Sequence, residues 1–167
     1  MKLATRIAVL VASAVAAYGS AASAQTLHSA AANPAARCQA ARPVFDQSLH
    51  KRPLAVQNEG TSNAFVTCSY EADSFASLNG ILVLDTFFTN NSANTVQLTC
   101  VAVSGFQEGT NEYIAKTTVI EAGQQGNPSW EAVEVPSGLL DSLINISCAL
   151  PPGVSINDST VVWDEAN

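Results

Sequence analysis

The chain has 167 residues, 47% of them hydrophobic, with 14 acidic residues against 7 basic ones and a net charge of −7. That length suits one domain with a proper core. The sign of the charge disfavours nucleic acid as a partner, because an acidic surface repels phosphate backbones.

In chain order, Lys2 and Arg6 bracket a short positive start, Ile7 to Ala12 is apolar, and Ala22-Ser23-Ala24 has the form of a cleavage signal. Residues 1–24 therefore read as a secretory signal peptide of bacterial type, with Gln25 as the mature N-terminus. The apolar run is too short and alanine-rich for a retained anchor. No later stretch is apolar enough to span a bilayer, so no membrane insertion is expected after cleavage. The destination is the periplasm or the medium. Loss of Lys2 and Arg6 leaves 143 residues and takes the net charge to −9. Of the five remaining cations, only Lys116 follows residue 53, where it faces 13 carboxylates.

Residues 25–53 read as an N-terminal arm. Gln25 to Asn33 is alanine-rich and polar, which predicts disorder. Pro34 to Arg42 predicts a short helix, opened by Pro34 and stopped by Pro43.

Residues 54–167 read as a β-sandwich. Leu54, Val56 and Asn58 alternate; Ala64, Val66, Cys68 and Tyr70 form the next face. Glu71 to Gly80, with Phe75 its single aromatic, reads as a loop. Ile81 to Thr89 is almost wholly apolar or β-branched, with Leu82, Leu84, Thr86 and Phe88 placed inward by the opposing Asp85. Val96, Leu98, Cys100 and Ala102 share a face of the following strand, and Asn90 to Asn94 predicts a hairpin turn between the two. Tyr113 to Ile120 is β-rich, and Trp130 to Val135 alternates with Val133 and Val135 inward. Ile144, Ile146, Cys148 and Leu150 have the strictest period of two in the chain, ended by Pro151-Pro152-Gly153. Val154 to Trp163 closes the fold. These make about eight strands with no helical period, an all-β sandwich of jelly-roll or immunoglobulin-like type.

All four cysteines (Cys38, Cys68, Cys100, Cys148) follow the cleavage site, and an even number in an exported chain predicts two disulfides. Gaps of 30, 32 and 48 residues are unlike the close spacing of zinc ligands. Pairing Cys38 with Cys68 and Cys100 with Cys148 closes the shortest loops. Cys68 with Cys148 and Cys38 with Cys100 is also compatible, because the segments ending in Cys68 and Cys148 look like equivalent core strands.

Catalytic chemistry needs positioned acids, bases or nucleophiles. The only histidines are His28 and His50, both in the arm. No nucleophile elbow, zinc helix or phosphate-binding glycine loop occurs. Glu131 and Glu134, beside Trp130, are the most suggestive carboxylate pair, but residues three apart on a strand face opposite sides. Asn157-Asp158-Ser159 and Asp164-Glu165 offer oxygens without the spacing of a calcium loop. No catalytic, cofactor or metal site is therefore assigned. Trp130 and Tyr113 are the candidate ligand contacts, as parts of a sugar-stacking platform; aromatics in a small sandwich more often belong to the core. Three sequons begin at Asn90, Asn145 and Asn157 and are read as chance.

Gln57 to Gly60, Ala64 to Cys68, Asn90-Asn91-Ser92 before Val96 to Cys100, and Ser147 to Gly153 form a series of landmarks spanning residues 38–163. With them the chain resembles a family of small exported bacterial two-disulfide β-sandwich proteins, uncharacterised in function. The resemblance implies a secreted sandwich and no activity. The expected function is non-enzymatic, by binding or a structural role at the cell envelope, with an envelope protein or polysaccharide as partner. The alternatives are a carbohydrate-binding module and a small secreted hydrolase.

Overall fold

The computed structural model describes residues 26–72, 80–109, 111–138 and 140–165. Residues 1–24, read above as a signal peptide, and Phe75 lie outside them. The strands are β1 (Thr26–Ala32), β2 (Cys38–Ala40), β3 (Leu49–Arg52), β4 (Ala55–Asn58), β5 (Ala64–Glu71), β6 (Ile81–Asn90), β7 (Val96–Ser104), β8 (Glu112–Ile120), β9 (Gln125–Gly126), β10 (Ser129–Glu131), β11 (Leu143–Leu150) and β12 (Val154–Glu165), with a single helical turn α1 (Pro34–Arg37). They form two antiparallel sheets. One runs β10-β6-β12-β4-β3, with β1 added to β12 and β9 to β6; the other runs β2-β5-β11-β7-β8.

The pairing is nested: β4 with β12, β5 with β11, β6 with β10, and β7 with β8. A long antiparallel hairpin wrapped over itself gives this order, so the sandwich is a jelly roll. β11 lies at the centre of its sheet, and Ile144, Ile146, Cys148 and Leu150 are all fully buried. They face Leu84, Phe88, Val154 and Ile156 within one apolar cluster. Tyr70 brings a hydroxyl into that core. Its hydroxyl meets Ser159 Oγ at 2.7 Å. Burial pushes its pKa up to about 12 against the opposing pull of the Ser159 and Thr86 hydroxyls.

Asn90 to Asn94 does not make a hairpin. β6 and β7 belong to different sheets, and the turn is an arch across the sandwich. Asn90 is fully buried. Its amide donates to Asn94 O and Ile120 O, while its Oδ1 accepts from Ser92 N and Ser92 Oγ. Asn58 builds the same arch between β4 and β5: it donates to Ser62 O and Leu150 O and accepts from Gly60 N. Gly153 links the two arches, its N–H donating to Asn58 O and its carbonyl accepting from Asn91 N. This position needs glycine, since its φ is +81° and a Cβ would press on Ser92.

Four other expectations change. Thr26–Ala32, expected to be disordered, is a strand in register with β12 along its whole length. The helix over Pro34–Arg42 is one turn, after which Cys38–Ala40 pairs with β5. Val133 is 81% exposed, because residues 132–134 form a 3₁₀ turn. Three residues per turn send Ala132 and Val135 to the same side, and both are buried. Leu82 is half-buried beside the fully buried Ile81, near where the register with β12 slips.

Of the compatible pairings, the chain adopts Cys38–Cys68 and Cys100–Cys148. Each joins directly opposed residues of neighbouring strands, β2 to β5 and β7 to β11, with the sulfurs on the core side. Both therefore brace one sheet rather than tie the two together. Removing the second bridge as Cys100→Ala with Cys148→Ala should cost ~2–4 kcal/mol, chiefly by freeing the unfolded chain. Urea unfolding under non-reducing conditions measures it, and an unchanged midpoint would contradict it.

Candidate functional site

The outer face of the five-stranded sheet is built by the alternate residues of β5, β11, β7 and β8. In one row Ser69 lies beside Asn145, then Val103, then Tyr113; in the next Thr67, Ser147, Val101 and Ala115 follow; in a third Phe65, Ala149, Thr99 and Thr117. Four strands at sheet spacing make this a surface roughly 14 Å across. None of these twelve side chains is charged. Hydroxyls and amides are held by one another: Ser69 Oγ lies 2.6 Å from Asn145 Oδ1, and Thr99 Oγ1 3.2 Å from Thr117 Oγ1.

An aromatic ring stands at each side. Tyr113 on β8 is 70% exposed and Phe65 on β5 is 45% exposed. Phe65 packs on Phe45, ring centres 5.6 Å apart, where the turn after Pro43 folds over β5. Together with Ala41 and Arg42 these rings line an open hollow of about 310 Å³. Arg42 reaches no carboxylate among the described residues, whereas Arg37 pairs with Glu71, Arg52 with Glu59 and Lys116 with Glu134.

The other sheet presents a different surface. Its outer side carries the exposed Glu131 and Asp158 and the half-buried Asp85. A shallow hollow there is bordered by Ala31, Phe87, Gln125, Asn157, Asp158 and Thr160. The Asn157 amide is already used, donating to Thr89 Oγ1 and accepting from Ser155 Oγ. Among the described residues no three His, Cys, Asp or Glu side chains gather as metal ligands.

The two candidate ligand contacts separate. Tyr113 stands on the open face. Trp130 is fully buried and its indole N–H donates to Ile114 O at 3.1 Å, so its ring is core and offers no stacking surface. Glu131 and Glu134 do not form an acid–base pair either. Glu134 turns back to accept from the Glu131 N–H and from Lys116 Nζ. Burial pushes its carboxyl up, but the Lys116 and Glu131 hydrogen bonds outweigh that and hold it below the usual carboxylate value. His50 sits exposed on β3, its Nε2 3.3 Å from Gln47 O and its Nδ1 3.7 Å from Glu59 Oε2. Neither of these contacts is a serine. Asn90, at the first sequon, is buried and fully engaged.

No family model matches the chain, and no curated protein matches it. Solved structures that match the chain include TmCBM61 in complex with β-1,4-galactotriose, a carbohydrate-binding module 9% identical over 83% of this chain and 88% of that one, with a TM-score of 0.35. A CBM4 structure is 11% identical over 83% and 84%, with a TM-score of 0.37. The Tobacco streak virus coat protein is 9% identical over 71% and 84%, with a TM-score of 0.34. What this chain binds has to be read from its own surface.

Sequence reasoning passed over Phe65 and the face as a whole. The signal was there: the alternate residues 65–69, 145–149, 99–103 and 113–117 of four strands are all uncharged in a chain whose net charge is −7.

Proposed function

We propose that this chain is a non-catalytic binding module whose five-stranded sheet takes up a neutral polysaccharide across its outer face. The observation that carries this reading is a patch of twelve adjoining outward positions on four strands that carries no charge in an acidic protein, with the exposed rings of Tyr113 and Phe65 at its sides and Glu71, paired with Arg37, beyond it at the end of β5. A sugar polymer offers hydroxyls to Ser, Thr and Asn side chains and apolar C–H faces to aromatic rings, and it needs no countercharge. Ser69 with Asn145 and Thr99 with Thr117 already bond to one another, so at those positions a ligand exchanges partners. Two disulfides suit an oxidising, exported setting, and no helix among the described residues is long and apolar enough to cross a membrane. The cell envelope and its surroundings are where such polymers are met.

Affinity electrophoresis through gels containing neutral cell-wall or extracellular polysaccharides tests the proposal. The wild-type chain should be retarded by at least one of them. Tyr113→Ala should weaken that binding about tenfold, or ~1.4 kcal/mol, while leaving thermal stability within about 0.5 kcal/mol because the ring is exposed. Equal retardation of wild type and variant, or none with any neutral polymer, would count against it and shift attention to an envelope protein as partner.

A further inference from the structure

The cations among the described residues are not used alike. Arg37 pairs with Glu71, Arg52 with Glu59 and Lys116 with Glu134, while the Lys51 ammonium donates to Ala35 O. Arg42 is the one whose side chain meets no oxygen of the described residues. Asp46 closes the 3₁₀ turn that Arg42 opens, yet the two do not pair. An acidic protein has thus left one guanidinium without a carboxylate.

The main chain holds that residue in place from both sides. Ala41 N donates to Phe65 O, which carries the β2–β5 pairing one residue beyond Ala40, and Arg42 O accepts from Phe45 N in the turn begun by Pro43. The guanidinium therefore starts from a fixed point, and it lines the hollow of about 310 Å³ with the Phe45 and Phe65 rings. Phe65 belongs to two surfaces at once. It ends the third row of the uncharged face and forms a wall of the hollow.

We infer that the polymer crossing the uncharged face carries sparse carboxylates, as on a uronic acid unit, and that this hollow takes one such unit. The inference rests on the reading of the face as a polysaccharide site, since Phe65 is where the two surfaces meet. Arg42 supplies the counter-charge, its parallel N–H groups matching the two carboxylate oxygens. Phe45 and Phe65 supply apolar surface for the C–H face of the same sugar ring. A uronic acid joins its charge to its ring through a single carbon–carbon bond, so one unit can satisfy both features. Elsewhere the net charge of −7 disfavours anions. One free guanidinium beside an uncharged face offsets one carboxylate, not a charge on every unit, which excludes a dense polyanion.

Calorimetric titration of the disulfide-bonded chain tests this. The probes are glucan, mannan and galactan oligosaccharides, each with and without one primary hydroxymethyl group oxidised to a carboxylate. With at least one backbone the oxidised form should bind about fivefold tighter, the upper end for a charge pair that water still reaches. That gain should shrink as salt is raised. Arg42→Gln should abolish the gain, read as the ratio of oxidised to parent within the variant, and Arg42→Lys should keep part of it. Arg42 is exposed, so both variants should fold, which thermal unfolding checks. Equal binding of parent and oxidised forms overturns the inference and leaves the uncharged face standing. A gain that survives Arg42→Gln, or one given by a sulfate ester and not by the carboxylate, also overturns it. Binding of the oxidised form alone, lost in Arg42→Gln, upholds the hollow and counts against the face. No binding of either form overturns both.

Discussion

Replacing Trp130 with alanine is expected to lower stability by ~3–5 kcal/mol, the range for deleting a large aromatic from a close-packed core. The ring is fully buried on β10, a strand of only three residues held to β6 by the pairs Ser129↔Asp85, Trp130↔Leu84 and Glu131↔Val83. So short a strand has little backbone pairing of its own, and the indole is what fastens it. The same ring crosses to the other sheet by donating to Ile114 O, beside the Lys116 contacts to Ser129 O and Glu134. Alanine therefore leaves both a cavity and a carbonyl without its donor, and the flank between β8 and β10 loosens. In urea, the midpoint should fall with little change in slope; a loss below about 1 kcal/mol would show that the ring does not anchor the flank. Tyr113→Ala is the matched control, an exposed aromatic on the strand that Trp130 braces.

That contrast marks how far the residues alone can be read. Period two in Leu143–Leu150 identified the buried face correctly, since Ile144, Ile146, Cys148 and Leu150 all point into the core. The same alternation gave the inward residues of β5 and β7. Alternation tells which face a side chain takes but not which strand lies beside it. Hence both the strand order and the choice between cysteine pairings stayed open: Cys68 and Cys148 do lie on neighbouring strands, yet Cys148 stands opposite Val66 and Cys100, not opposite Cys68. β1 was missed for a related reason. Its alanines and polar residues bury almost nothing, and it is a strand through main-chain pairing with β12, which leaves no hydrophobic pattern to find. Trp130 and Tyr113 could not be told apart as core and surface because aromatic rings serve both. The neutral face was legible in principle, but only once four separate strands are laid side by side.

The arch at Asn90 shows the same limit and yields the sharpest test. Asparagine, serine and asparagine in a short segment suit a hairpin as well as an arch; what decides is where the amide points. Asn90→Ala removes two donors and an acceptor from a buried position and leaves Ile120 O and Ser92 N without those partners. At ~1–3 kcal/mol for each buried group left unsatisfied, a loss of about 3 kcal/mol is expected. Asn90→Asp should be worse at neutral pH, although it keeps the shape and the acceptor. Its second oxygen would replace the NH₂ group that now meets Asn94 O at 2.7 Å and Ile120 O at 3.0 Å, setting a buried carboxylate against two carbonyls. An uncompensated buried charge costs on the order of 3–5 kcal/mol. Those surroundings disfavour the ionised form, so the folded-state pKa of the new aspartate rises above its unfolded value. The native state then holds the proton more tightly, and stability is regained as pH falls through the folded pKa. Wild type and Asn90→Ala lack this group. Unfolding curves for the three chains at neutral and mildly acidic pH should therefore show Asn90→Asp alone gaining on the others towards acid. If the aspartate variant instead matches wild type at neutral pH, the amide of Asn90 does not hold the two sheets in the way its contacts imply.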